Sequence, residues 1–184
     1  MELGGKLLIA MPGLEDPRFD RSVILICAHS PDGAMGLIIN KPLSELDFAG
    51  LLAHLDIARA PNGREISVQF GGPVERGRGF VLHSTDYPLR AGSMEVPGGY
   101  RMTATLDILE DLAQGEGPAQ ALLALGYAGW GPGQLENEIQ HNDWLICDAT
   151  EPLIYQADHG AKWKTALKSI GIDPLSLSAI GGRA

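Results

Sequence analysis

The run VILICA at residues 23–28 is apolar on both of its alternating faces. Val23, Leu25 and Cys27 point one way along an extended chain, and Ile24, Ile26 and Ala28 point the other. A strand with this pattern has to be covered on both sides. The residues that follow, Ser30, Pro31, Asp32 and Gly33, carry turn chemistry, since Pro presets φ, Asp bonds its own backbone and Gly accepts positive φ. They are expected to fold a strand at 22–28 back as a hairpin onto a second apolar run at 35–40, and the pair to form the centre of a sheet.

Four more segments, 6–10, 66–70, 79–83 and 144–148, read as strands bounded by Gly, Pro and Asp. Helices are marked by caps and by apolar residues three and four apart. Ser44 with Asp47 resembles a capping pair ahead of the stripe Phe48, Leu51, Leu52 and Leu55, and Thr105 precedes the stripe Leu106, Leu109, Leu112 and Ala113. Residues 117–125 are expected as a short third helix. Trp163, Ala166, Leu167 and Ile170 form a last stripe ended by Gly171, with Lys162, Lys164 and Lys168 read as its solvated face. Strands gathered early and late with helices between them predict an α+β architecture. At 184 residues and 45% hydrophobic, the chain suits one domain, 1–184, able to bury about 70% of its unfolded surface.

The longest apolar runs fall well short of the ~20 residues that span a bilayer, and no basic segment leads into a long apolar one near the N-terminus. A cytoplasmic location with no membrane partner is expected. Cys27 and Cys147 sit in apolar strand-like runs, as small buried hydrophobes of a reducing compartment rather than a disulfide. The net charge of −9 is unevenly spread: residues 102–161 hold ten carboxylates and no Lys or Arg. Residues 59–101 instead carry Arg59, Arg64, Arg76, Arg78, Arg90 and Arg101 against four carboxylates. Held apart in the fold, the two segments give a dipolar surface. The acidic segment 102–161 then reads either as solvated helix faces or as a docking face for a basic protein partner, while direct nucleic-acid binding is disfavoured.

Three segments carry a family resemblance: FDRSVILICAHSPDGAMGLIINKP at 19–42, FGGPVERGRGFVLH at 70–83 and GYAGWGPGQLENEI at 126–139. Together they resemble the YqgE/AlgH family of small bacterial proteins, over nearly the whole chain. The resemblance implies a bifurcated, mostly antiparallel β-sheet forming a pseudo-barrel flanked by helices. It also implies a regulatory role, in transcription, because one member is named as a regulator of alginate synthesis, and it supplies no catalytic residue. The ending AIGGRA departs from the GHA ending common in relatives.

Within the third segment, Gly131 and Pro132 suit the N-cap and first helical position, and Gln134 falls where its side chain reaches back to the cap amide. Leu135 and Ile139 face inward, while Gln134 and Glu138 share another side. That side, with Tyr127 and Trp130 as an aromatic wall, is a candidate ligand surface; the alternative is that the aromatics pack the helix end. Asn40, Gly71 and Gly72 leave strands as turn residues, and glycines there also permit close approach of a ligand. His83 and His29 are candidates that the fold could add to the cleft.

Catalytic signatures are missing. There is no GxSxG elbow, Walker loop or GxGxxG fingerprint, and Cys27 and His29 stand ~6.6 Å apart along a strand, beyond the reach of a base. Glu138 and His141 make one i,i+3 pair without CxxC or HExxH partners, so no metal site or cofactor is expected. Two readings stand: a non-enzymatic binding or regulatory protein acting through a partner or effector, and a small-ligand binder or enzyme using a cleft near Trp130, Gln134 and Glu138.

Overall fold

The computed structural model describes residues 1–180; the AIGGRA ending from 181 onward lies outside them. Nine strands, β1 (Lys6–Ala10), β2 (Val23–Ser30), β3 (Gly33–Ile38), β4 (Ser67–Phe70), β5 (Val74–His83), β6 (Ser93–Val96), β7 (Tyr100–Thr103), β8 (Ala121–Trp130) and β9 (Trp144–Asp148), form one sheet. Their order is β6-β7-β5-β8-β3-β2-β1-β9, with each adjacent pair antiparallel, and β4 joins β8 in parallel. The sheet curls into a half-barrel, and the described residues add six helices: α1 (Phe48–His54), α2 (Leu106–Ala113), α3 (Gln134–Gln140), α4 (Glu151–Tyr155), α5 (Lys162–Ser169) and α6 (Pro174–Ile180). The fold is α+β, mostly antiparallel. Among these residues no helix is long and apolar enough to cross a membrane.

The two apolar faces of β2 enter different cores. Leu25 and Cys27 pack inside the half-barrel with Leu7, Leu37 and the α5 residues Trp163 and Leu167. Ile24 and Ile26 pack outward with Leu8, Ile38 and Leu135 of α3. Burial of each such Leu or Ile contributes about 1.5–3 kcal/mol, so both layers are needed. The turn at Ser30–Gly33 makes the expected hairpin, with Ser30 opposite Gly33.

The branch point of the sheet is β8. Its residues 122–125 pair with β4 on one side and β5 on the other, whereas residues 128–130 pair with β3. The changeover falls at Gly71, Gly72 and Gly126. Gly71 N–H donates to the Leu125 carbonyl while its own carbonyl accepts from Ile38 N–H. A Cβ on Gly72, whose φ is +153°, would lie 2.1 Å from the Tyr127 carbonyl carbon, and one on Gly71 would lie 2.3 Å from the Gly126 oxygen. Only glycine allows the backbones to cross there. Just beyond, the β5–β8 register jumps from Val74 opposite Tyr127 to Gly79 opposite Leu125, so residues 75–78 bulge outward, with Glu75 at φ 47°.

Several expectations are corrected. Residues 121–125 begin the central strand β8 rather than a helix: the Ala- and Leu-rich run has no period to distinguish the two, and β4 and β5 on either side supply its backbone partners. The cap of α1 is Asp47 rather than Ser44, its Oδ1 accepting from Gly50 N–H at 2.8 Å. Lys162 is not solvated like Lys164 and Lys168; it is fully buried, and its Nζ donates to the carbonyls of Ile39 and Ile154. Strands β6 and β7 and helices α4 and α6, four to seven residues each, left no sequence signal that the reading used. Nor are the basic and acidic segments held apart, since Arg90 lies 3.6 Å from Asp107 and 4.0 Å from Asp111.

Candidate functional site

The end of β8 leads through Gly129 and Trp130 into the GPG turn and α3. Gly131 N–H donates to Gln134 Oε1 at 3.0 Å, which is the reach-back that the spacing predicts, but the cap is Gly133, at φ 72°, and the helix begins at Gln134, rather than Gly131 capping a helix that starts at Pro132. One turn later Glu138 comes over the indole, and Trp130 Nε1 donates to Glu138 Oε2 at 2.6 Å. Trp130 is 7% exposed and packs edge-on against Trp144 with ring centroids 6.1 Å apart. Trp130 thus packs the helix end and also walls a cleft beside Gln134 and Glu138, whereas Tyr127, expected in the same wall, does not line that cleft.

Two concave lobes of about 780 Å³ each meet at Val74, Gly129 and Trp130. That size falls in the range of small-molecule pockets, about 300–1,000 Å³. The polar lobe lies between the loop joining β1 to β2 and the exposed side of α3. Its charged lining comprises Glu15, Asp16, Arg18, Glu138, His141 and Asp143. Arg18 is neutralised locally: its Nε and Nη2 donate to the Asp16 carboxylate at 3.0 and 2.7 Å, and that hydrogen bond holds the Asp16 carboxyl below its ordinary range. Among the described residues, the side chains of Glu15 and Asp143 have no hydrogen bond or ion pair. Phe19 and Trp144 complete an aromatic wall at 5.8 Å, and the buried Trp144 Nε1 has no acceptor.

The apolar lobe opens at the mouth of the half-barrel. Met35, Phe80, Met94, Met102 and Tyr127 line it, and the 75–78 bulge brings Glu75 and Arg78 to its rim. Methionine is unbranched and polarisable, so such a lining adapts to more than one shape of guest. Arg78 lies 5.0 Å above the Phe80 ring and 3.6 Å from the Glu75 carboxylate, and Arg76 lies 5.6 Å above Phe70. Both arginines are therefore held on aromatic faces at the bulge.

Of the residues named from sequence, the fold brings Trp130, Gln134 and Glu138 together in the polar lobe. Asn40 lies elsewhere: its Oδ1 accepts from Val23 N–H and its Nδ2 donates to the Arg21 carbonyl, each at 2.8 Å, tying the start of β2 to the end of β3. Gly71 and Gly72 form the fork just before the lobes and line neither. His83 is wholly buried in β5, within 2.8 Å of the Ser84 carbonyl and of Thr103 Oγ1. With Ser93 Oγ also 2.8 Å from Thr103 Oγ1, a neutral imidazole protonated at Nδ1 satisfies the chain. Burial pushes its pKa down, which agrees.

His29 does line the apolar lobe, but both nitrogens are engaged: Nδ1 accepts from Leu3 N–H at 3.3 Å and Nε2 lies 2.6 Å from Glu136 Oε1. Cys27 is buried in the core, where desolvation pushes its thiol up to about 12, and neither cysteine is in a disulfide. Among the described residues, no three His, Cys, Asp or Glu side chains are grouped so as to hold a metal ion. The sequence reading missed the loop residues Glu15 to Arg18 and the methionines. An Asp-Pro-Arg turn was a visible signal for the loop, while methionines 35, 94 and 102 share no local pattern.

Comparison with known proteins adds a family. The AlgH-like family model matches residues 7–175. A UPF0301 protein of Cereibacter sphaeroides strain ATCC 17029 is 61% identical over 184 residues, covering all of both chains. Another, from Paracoccus denitrificans strain Pd 1222, is 56% identical over 184 residues, covering 99% of this chain and 97% of that one. The solution structure of AlgH from Pseudomonas aeruginosa, also a UPF0301 protein, superposes with a TM-score of 0.80 at 35% identity, covering 100% of this chain and 95% of that one. A crystal structure of a protein from Corynebacterium diphtheriae matches at TM-score 0.73 and 21% identity, covering 100% and 93%, and so shares the fold.

Proposed function

The chain belongs to the AlgH-like family, and from that premise we propose that it is a cytoplasmic, non-enzymatic binding protein whose regulatory role runs through ligand uptake in the cleft around Trp130, Gln134 and Glu138. The observation that carries this reading is the junction itself, where two lobes of about 780 Å³ meet at a nearly buried indole already hydrogen-bonded to Glu138. A non-catalytic role is supported by the state of the candidate nucleophile and base. The Cys27 thiol is buried with a raised pKa, and His29 has partners at both nitrogens. Two free buried cysteines suit a reducing compartment.

Regulation in this reading proceeds through an effector or a protein partner. A net charge of −9 opposes DNA phosphates, and the arginines best placed to meet them, Arg76 and Arg78, rest on aromatic rings. The acidic segment 102–161 is also proposed to meet a basic protein partner, through carboxylates other than Asp107, Asp111 and Asp148, which already face Arg90 and Lys6.

Native mass spectrometry of untagged protein, purified at low salt from its own cells without a metal column, tests the cleft. A stoichiometric low-mass adduct that disappears in Trp130→Ala is the expected result. An adduct that persists in that variant overturns the assignment of the site. Fluorescence anisotropy with duplex DNA tests the route of regulation: near-background binding, equal in wild type and Arg76→Ala/Arg78→Ala, is expected, and tight salt-sensitive binding lost in the double variant refutes it.

A further inference from the structure

Gly129 is a glycine that the fold does not require. It lacks the positive φ that eleven of the described glycines adopt, and a Cβ added there would meet only Tyr127 Cε2, at an ordinary 3.5 Å. Glycine inside a strand weakens it and often marks a place where another molecule approaches the backbone. This one is exposed and sits on the saddle shared by the polar and apolar lobes. A side chain at 129 would project beside Tyr127 at this junction, where Val74, Gly129 and Trp130 belong to both linings.

The chemistry on the two sides of the saddle differs in kind. On the polar side, four carboxylates face one arginine, and that arginine is already paired with Asp16. Among the described residues the Glu15 and Asp143 side chains have no partner, and Glu138 uses only one oxygen, toward Trp130. Phe19, Trp130 and Trp144 line the lobe beside these carboxylates, a combination suited to an ammonium group through charge and aromatic contact. On the other side, Met35, Met94, Met102 and Phe80 offer an adaptable apolar surface.

Building on the reading of this cleft as a ligand site, we infer that its ligand is a small amphipathic amine. The ammonium group enters the polar lobe between Glu138 and Asp143, and the apolar body crosses Gly129 into the methionine-lined lobe. Carboxylate ligands of the same shape are disfavoured, because their charge would enter a lobe whose only arginine is spoken for. The protein's overall charge of −9 acts in the same direction.

The probe pair is dansylcadaverine, a primary amine with an aromatic body, and dansylglycine, its anionic counterpart, each titrated by fluorescence against wild type and two variants. Dansylcadaverine is expected to bind with a blue-shifted emission that weakens with added salt. Glu138→Gln/Asp143→Asn should weaken it about twenty-five-fold, taking about fivefold for each half-buried charge, and Gln at 138 still accepts from the Trp130 indole. Gly129→Leu should also weaken it, about tenfold or more, while leaving the thermal unfolding temperature near that of wild type, because the backbone at 129 needs no glycine. If dansylglycine binds at least as tightly and is blocked by Gly129→Leu, the cationic preference is refuted and the cleft stands as a ligand site. If Gly129→Leu affects neither probe, the ligand site itself is refuted.

Discussion

Lys162 is the least comfortable charge in this protein, and replacing it should change how stability varies with pH. Its side chain is fully buried at the start of α5, with no carboxylate partner, and its Nζ donates to the carbonyls of Ile39 and Ile154. A neutral amine has two N–H groups for those two acceptors; an ammonium has a third with nowhere to go. Desolvation accordingly pushes the pKa down from 10.5 to about 7. The folded chain therefore releases this proton near neutrality, while the unfolded chain keeps it up to about 10.5. Between those limits the unfolded state binds more protons, so stability rises with pH; below pH ~7 both states are protonated and the full burial penalty applies. Integrated from about pH 7 to about pH 9, this one group adds about 2 kcal/mol.

In Lys162→Met that rise is absent, although the two carbonyls then lack their donor and the variant is less stable at high pH. Urea unfolding of wild type and variant in parallel, at several pH values from about 7 to 9, isolates the effect. Groups that titrate alike in both proteins, including the buried cysteines, cancel in the difference. A wild-type minus variant free energy that climbs by about 2 kcal/mol over the window is the expected outcome. A flat difference would show that Lys162 keeps its proton when buried, and the account of an uncompensated amine would be wrong.

Two glycine substitutions should behave oppositely. Gly72→Ala forces a Cβ against the Tyr127 backbone at a positive φ and should cost about 3 kcal/mol or more, whereas Gly129→Ala should be neutral or stabilise by up to about 1 kcal/mol; thermal melts of both decide whether the fork or the saddle needs glycine. Asp47→Ala removes the bond to Gly50 N–H and should cost about 1 kcal/mol, with Asp47→Ser recovering most of it, whereas Ser44→Ala should cost little; denaturant midpoints separate the two caps. His83→Phe removes both hydrogen bonds of a fully buried ring and should destabilise by about 1–3 kcal/mol without altering dansylcadaverine binding, since His83 lines neither lobe; a lost affinity would return it to the site.

The best-read parts of this chain are those whose instructions are local. Strands β1 and β9 occupy the residues expected of them, the Ser30–Gly33 turn makes its hairpin, and the two faces of β2 enter two cores, because period-two burial and turn preference are properties of neighbouring residues. The Trp130, Gln134 and Glu138 constellation was visible for the same reason: nine residues of strand end, cap and first helical turn place all three on one side. The family resemblance added the bifurcated sheet, which no periodicity in the chain could supply.

Elsewhere the outcome depended on partners distant in sequence. Residues 121–125 suit a helix as well as a strand until β4 and β5 offer their backbone groups. A lysine at the head of an amphipathic helix reads as solvated until Ile39, 123 residues away, presents a carbonyl to it. The cleft is the extreme case, since its carboxylates come from the β1–β2 loop, α3 and the turn before β9, and its methionines from β3, β6 and β7. Hydrophobic period, capping and turn chemistry act over a few residues and so are written in the chain; burial of a charge, pairing of an ambiguous strand and the shape of a pocket are energies between segments, and they take values only once the sheet has curled and brought those segments together.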